Sequence, residues 1–389
     1  MPRIDTSIGT NNDKRSRSIM LNTTQNCNLN CKYCFENKQA RSREIMSFNL
    51  AKKVITKYME AEDDFEQVII DFFGGEPLLA FPLIRQIGEW LKTKTWKKKY
   101  VLSIGTNGTI LTDEMKDWML KNRKHLSVGV SFDGSKRAHD ISRDNSYDLV
   151  RKNLPFFCKT WPKQPIKMTI CAETIPYVKD SVTEMEEMEV TFTANVAFEN
   201  IWGDPDEKKK LLEIYAEQLS QLVDYYAGRP ELFPVTILDR KIESIHLKND
   251  KKIDKDIKRF CGAGHEMLMV DMDGSIFPCH RFSPWISGRP APKILQNHQS
   301  QWKPEECENC KLLPICPTCA GYNWELNGDS GIRSTFHCEA IKLEVLASAK
   351  LQAIRIEQNQ KDLSTLPQEE IHLLKRRADA ILEINNNGV

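Results

Sequence analysis

A chain of 389 residues, 40% of them hydrophobic, can bury a sizeable core as one large domain or two ordinary ones, which excludes a single small module. Lys and Arg number 55 against 54 Asp and Glu, so the basic footprint of a nucleic-acid binder is missing and no nucleic acid is expected as a partner. The N-terminus, with Asp13, Lys14, Arg15 and Arg17 ahead of Ile19, lacks an apolar signal core, and no apolar run reaches the roughly 18 residues of a membrane span, so a cytoplasmic protein with no membrane partner is expected. Twelve cysteines in a reducing compartment point to metal ligation rather than disulfides.

After an N-terminal extension, residues 1–17, the sequence from 18 to about 230 alternates β-branched runs with amphipathic segments, the pattern of six βα repeats around a parallel sheet. Strands are expected at Ser18–Thr24, Gln67–Gly75, Tyr100–Gly108, Leu126–Phe132, Ile166–Ala172 and Val190–Phe198. Ser47, Thr112 and the Asp204-Pro205 pair mark helix starts, and the basic run Lys92–Lys99 reads as a solvated turn between helix and strand. Periodicity alone leaves open a doubly wound sheet or a curved partial barrel, and either one binds ligands at the carboxyl ends of its strands. Residues 231–260, rich in charge, read as a connector. Residues 261–345 carry a dense group of cysteines, and 346–389 two helices broken near Pro367.

Cys27, Cys31 and Cys34 follow the first strand, separated by three and then two residues, and fill three corners of a four-cornered site. Thiolates hold iron–sulfur clusters, so the reading is a [4Fe–4S] cluster with one iron open to a small molecule. The alternative is a zinc knuckle that borrows its fourth ligand. Strand two ends in Gly74-Gly75-Glu76-Pro77. Its glycines would let the backbone approach a ligand and its carboxylate would accept from an ammonium group, though an ordinary turn reads the same way. Ser103 and Thr106-Asn107-Gly108 close strand three, and Ser131, Asp133 and Gly134 close strand four. Short polar side chains there suit a ribose, Arg143 suits a carboxylate, and Asp133 is also a turn former.

Seven further cysteines lie at 261, 279, 307, 310, 316, 319 and 338. Between the first two, residues Met267 to Phe277 hold two short strand-like runs joined by an Asp-Gly pair, a hairpin signal that brings Cys261 near Cys279. Cys158 reads as an apolar filler, and Cys171 as strand packing or as a side chain pointing into the lumen of the site.

The three-cysteine spacing resembles the radical S-adenosylmethionine (SAM) family. That likeness implies a partial (βα)6 TIM-like barrel, α/β in class, and SAM chelated to the open iron and cleaved reductively to a 5′-deoxyadenosyl radical. It implies SAM contacts by Gly74, Gly75, Glu76, Pro77, Ser103, Asn107, Ser131 and Arg143, with Tyr33 and Phe35 either beside the adenine or shielding the cluster. The later cysteines resemble the SPASM extension, with two residues rather than the usual three between Cys316 and Cys319. By that likeness Cys307, Cys310, Cys316 and Cys338 hold an outer auxiliary cluster and Cys261, Cys279 and Cys319 an inner one, both of the [4Fe–4S] kind. Residues 251–260 offer no cysteine as the fourth inner ligand. His280 stands where sulfatase-maturing relatives place an aspartate base; it reads either as a base with a near-neutral pKa or as a hydrogen-bonding neighbour of the cluster.

The family likeness implies a peptide-modifying oxidoreductase. It acts on a ribosomally made precursor peptide through an oxidative thioether or carbon–carbon cross-link. Epimerisation and sulfatase maturation are the alternatives, and a zinc scaffold the remote one. The likeness further implies a flavodoxin or ferredoxin as reductant. The 26 residues before Cys27 are too few for a leader-binding domain, which leaves that task to the barrel or to a separate protein.

Overall fold

The computed structural model describes residues 15–38, 41–249, 261–292, 307, 310–358 and 367–387. The extension before residue 15 and the connector beyond 249 lie outside them. Contacts divide the chain into two units, one of residues 1–169, 185–193 and 261–297, the other of 170–184, 194–260 and 298–389.

The first unit is built on a parallel sheet. β1 (Ser16–Thr24), β2 (Gln67–Gly74), β3 (Lys99–Thr106) and β4 (Leu126–Val130) lie side by side in chain order. β5 (Ile166–Ile170) continues the row, with Phe132 N donating to Lys167 O at 2.9 Å, and β6 (Phe192–Val196) pairs with β5. Among these six strands the order does not reverse. Successive right-handed crossovers in one direction put every helix on the same face, which is the winding of a barrel and not of a doubly wound sheet. The helices after β1 to β5 are α1 (Phe48–Met59), α2 (Phe81–Leu91), α3 (Asp113–Asn122), α4 (Lys136–Ser142) with α5 (Tyr147–Thr160), and α6 (Val178–Glu187).

Burial follows that geometry. Val68, Ile70 and Phe72 on β2, and Leu102 and Ile104 on β3, are buried under the helices, whereas Ile69, Asp71, Phe73, Ser103 and Gly105 alternate with them on the open face. Ser47 caps α1 by accepting from Leu50 N, and Thr112 caps α3 by accepting from Met115 N, as their positions in the sequence require. Strands three to six end two residues or so earlier than their apolar runs, because the last residues of each run turn toward the loops.

β7 (Met267–Val270) and β8 (Ile276–Phe277) form the expected hairpin, with Gly274 at φ +90° in its turn. The sequence did not reveal that β7 also lies parallel to β1, from Ser18 opposite Met267 to Leu21 opposite Val270, so the hairpin extends the sheet. A short partner some 250 residues away leaves no local trace. The short helix α8 (Pro284–Ser287) follows.

In the second unit α7 (Pro205–Ala227) starts at Asp204, whose carboxylate accepts from Asp206 N and Glu207 N in a capping box. α9 (Ala320–Asn327), α10 (Cys338–Gln358) and α11 (Gln368–Asn387) complete the unit, and Ile242, Leu312, Ile341, Val345 and Ile381 share its apolar core. The expected pair of C-terminal helices is present, the first starting at Cys338 itself. Glu344 of α10 is buried; it accepts from Tyr215 Oη at 2.8 Å and from Arg240 Nε at 2.7 Å. No helix among the described residues is long and apolar enough to cross a membrane.

Removing one partner of such a pair leaves an uncompensated buried charge. Glu344→Ala is therefore expected to destabilise the second unit by on the order of 3 kcal/mol, measured by denaturant unfolding, while Tyr215→Phe, which removes one neutral donor, costs about 1 kcal/mol.

Candidate active site

The loop carrying Cys27, Cys31 and Cys34 leaves the carboxyl end of β1 and is held there by main chain. Gly75 N donates to Thr24 O at 3.0 Å and Glu76 N to Asn26 O at 2.8 Å. A Cβ at Gly74 would fall 1.9 Å from Thr24 O, at a φ of +131°, and one at Gly75 would fall 2.4 Å from Asn26 O. The two glycines thus serve an approach to the chain's own cysteine loop, where the sequence suggested an approach to a ligand. Glu76 also makes internal contacts. It is 1% exposed; Oε1 accepts from Leu78 N and Thr106 Oγ1, and Oε2 from Asn107 N at 2.7 Å, so its carboxylate ties β2 to β3. Asn107 carries the tie onward, its Nδ2 donating to Asn28 Oδ1 at 2.9 Å and reaching Cys27 Sγ at 3.9 Å.

The three sulfurs lie close enough for their charges to act on one another. Burial pushes all three thiols up, Cys34 to about 11, so without a cation they would stay protonated. Donors nevertheless face them. Leu29 N points to Cys27 Sγ at 3.5 Å and Arg41 Nη2 to Cys34 Sγ at 3.5 Å, while Arg41 Nη1 reaches Leu29 O at 3.3 Å. Desolvated sulfurs met by N–H donors fit a cationic iron cluster, which would hold them as thiolates. Among the described residues no three His, Cys, Asp or Glu side chains converge as they would on a single ion. Sequence reasoning missed Arg41, whose contact arises from a loop with no regular periodicity.

Tyr33 and Arg143 meet at Asp133. This buried carboxylate accepts from Tyr33 Oη (2.8 Å), Ser142 Oγ (2.8 Å), Arg143 Nε (3.1 Å) and Thr169 N (2.9 Å), so Asp133 is the anchor of Arg143 rather than only a turn former. Burial opposes the charge of Arg143, and Tyr33 and Asp133 more than offset it. Behind them His139 is fully buried. Its Nδ1 accepts from Asp133 N at 3.2 Å, which fixes a neutral ring whose Nε2–H faces Ser146 Oγ at 3.1 Å. Ser131 N donates to Thr106 O, while Ser103 lies mid-strand on the open face, hydrogen-bonded to Asp71, and not at the strand end. Pro77 begins the turn that Glu76 caps.

His280 is stacked between Phe35 (5.1 Å) and Phe73 (4.6 Å), and its buried Nδ1 has no hydrogen-bond partner among the described residues. Burial, aided by Arg281 and Lys167, pushes its pKa down to about 3. A near-neutral base is therefore not what this ring is; it is a neutral aromatic plate. Phe35 accordingly packs on His280, with the Arg281 guanidinium 4.4 Å from its centroid.

Cys279 is buried and Cys261 exposed, and Gly264 N donates to Pro278 O at 3.0 Å, closing the segment between them. In the second unit Cys307, Cys310, Cys316 and Cys338 lie within range of one another's charge, and burial pushes Cys316 up to about 11. Cys319, the N-cap of α9, belongs to that unit and not to the one holding Cys261 and Cys279.

Two outcomes follow from this geometry. Gly74→Ala is expected to expel the cysteine loop from its place and to lose the iron cluster on anaerobic reconstitution, read as iron bound per chain. For His139, the folded pKa is pushed down to about 4 by burial from an ordinary 6.5. Its contribution to stability is thus present above pH 6.5 and lost as pH falls toward 4, by about 3 kcal/mol in all. Unfolding measured across that window should show the slope, and His139→Gln should flatten it.

The chain is 24% identical over 368 residues to a cysteine-type anaerobic sulfatase-maturating enzyme of Clostridium novyi, covering 84% of this chain and 94% of that one. It is 23% identical over 362 residues to the radical SAM cyclopropyl synthase TigE of Paramaledivibacter caminithermalis, covering 84% and 72%. In fold it is similar to native anSMEcpe with bound AdoMet and the Cp18Cys peptide, at a TM-score of 0.66 and 20% identity, covering 89% of this chain and all of that one. Residues 21–171, which span the cysteine loop, Glu76, Asn107 and the Asp133–Arg143 pair, match the family model of the Radical SAM superfamily.

Proposed function

We propose that this enzyme modifies a ribosomally made precursor peptide by an oxidative cross-link. The observation that carries the reading is the cysteine loop, held at the strand ends beside an open sheet face, in a chain similar in fold to a structure with AdoMet and a peptide bound and in sequence to a radical SAM cyclopropyl synthase. Cys27, Cys31 and Cys34 would hold a [4Fe–4S] cluster with one open iron. The carboxyl-end residues from Gly74 to Pro77, with Asn107, Ser131 and Arg143, would surround the SAM bound to it. When bound, this pair supplies a 5′-deoxyadenosyl radical able to take a hydrogen atom from an unactivated carbon.

The chain's own residues do the rest. Glu76 and Asn107 fix the loop, Asp133 holds Arg143 charged and oriented to receive a carboxylate, and Phe35, next to Cys34, is stacked on His280 with Phe73 on the ring's other face. A cross-link that removes two hydrogens needs an electron acceptor besides SAM. We assign that role to auxiliary clusters, an outer one on Cys307, Cys310, Cys316 and Cys338 and an inner one on Cys261, Cys279 and Cys319, in the cysteine-rich segment 261–345. The external reductant would be a flavodoxin or ferredoxin, and leader recognition would fall to the barrel or to a separate protein.

A second reading, sulfatase maturation, is favoured by the likeness to the Clostridium novyi enzyme over most of both chains. The neutral His280 weighs against it, since it offers no carboxylate base.

The test is mass spectrometry of a precursor peptide incubated anaerobically with reconstituted protein, SAM and dithionite. Loss of two hydrogens, with 5′-deoxyadenosine formed, is expected; a sulfatase-derived peptide converted to formylglycine would favour the second reading. Changing Cys27, Cys31 and Cys34 together to Ala should abolish deoxyadenosine formation yet leave iron bound at the later cysteines. Deoxyadenosine from that variant would overturn the assignment.

A further inference from the structure

The open face of the first unit's sheet carries a polar slot that the cofactor site does not use. Register pairs Asp71 with Ser103 and Ser103 with Ser127, which makes one polar row across β2, β3 and β4. The next row toward the carboxyl ends contains Gly105 opposite Gly129. Gly105 is exposed in the middle of a sheet, and a Cβ built on it would meet nothing within 4 Å, so the space above it is empty. Across Gly129 lie the Gln164 amide, 3.5 Å from where a Cβ would stand, and the Lys167 stem at 3.9 Å.

Phe73, two residues beyond Asp71 on the same face of β2 and stacked on His280, bounds the slot on the β2 side. Asp71 lies at its deep end. Burial pushes the carboxyl up, and the Ser103 hydroxyl and the Lys167 charge favour its ionised form. The Lys167 ammonium makes no hydrogen bond or ion pair among the described residues.

A slot with a bare main-chain floor, an aromatic wall, one carboxylate held by Ser103, and an exposed lysine whose charge acts on that carboxylate is neutral as a whole. A guest bearing net charge would leave one of the two uncompensated, and a purely apolar guest would take water from the Lys167 ammonium and leave Asp71 with only its Ser103 hydrogen bond. A guest whose tip both donates and accepts satisfies the two together. We propose that this slot is a specificity subsite for a substrate residue with a neutral donor-and-acceptor tip, a carboxamide or a hydroxyl. Asp71 and Ser103 take its proton and Lys167 its oxygen, and Gly105 and Gly129 admit its stem. The inference rests on the peptide-modifying reading and narrows the peptide.

The test uses binding, which does not require turnover. Blocked pentapeptides, acetyl-Gly-Gly-Xaa-Gly-Gly-amide with Xaa as Asn, Ser, Leu, Lys or Glu, are titrated into the full-length protein and followed by saturation-transfer NMR. The Asn and Ser peptides should bind about tenfold tighter than the other three. The double change Asp71→Leu with Lys167→Met should turn the preference toward Leu, which loss of a merely structural pair would not do. Filling the floor with Gly105→Val should abolish binding of all five.

Equal binding of all peptides, binding of none, or a preference untouched by the double change would overturn the subsite. Deoxyadenosine formation by the reconstituted wild type, assayed separately, decides the radical SAM reading, so the two can fail independently.

Discussion

A single buried carboxylate holds the site together. Glu76 gives up water for three donors, the main-chain N–H groups of Leu78 and Asn107 and the hydroxyl of Thr106, and thereby locks the end of β2 to the end of β3. A buried charge without those partners would cost several kcal/mol, so the arrangement holds only if all of them are in place. Asn107, fixed by this contact, reaches Asn28 and Cys27, while the preceding glycines let the same turn lie against Thr24 and Asn26. The geometry of the cysteine loop thus depends on residues that touch no sulfur themselves.

Asp133 repeats the device on β4's side of the site. It orients Arg143 and Tyr33, and is itself positioned by a neutral histidine that receives its N–H. Both carboxylates are internal hubs, so the ligand-facing chemistry of the site falls to the main chain and to the remaining guanidinium nitrogens of Arg143. Strand ends suit this role because the sheet's own hydrogen bonds run out there and main-chain groups become available.

Much of this was legible in the residues. The cysteine spacing, the βα alternation, the caps at Ser47, Thr112 and Asp204 and the hairpin around Gly274 are local signals, and the fold keeps them. Relations between distant segments were not legible. The pairing of β7 with β1 joins residues about 250 apart, and the histidine following Cys279 changes character because two phenylalanines from other elements enclose it. Gly-Gly-Glu-Pro was recognisable as a motif, but its inward-facing carboxylate and its glycines' contact with the chain's own loop are visible only once β1 and β2 are laid side by side. Composition also gave no sign that Asp71, Ser103 and Lys167 would share one face of the sheet.

The central claim is that Cys27, Cys31 and Cys34 carry a cluster whose open iron takes SAM. Electron paramagnetic resonance of the dithionite-reduced, reconstituted protein tests it most directly, with 17O- or 15N-labelled SAM added to one sample. The account predicts that SAM changes the spectrum and that the label's nucleus couples to the cluster spin, both effects vanishing when the three cysteines are replaced. A reduced cluster spectrum indifferent to SAM, with no coupling to the label, would contradict it.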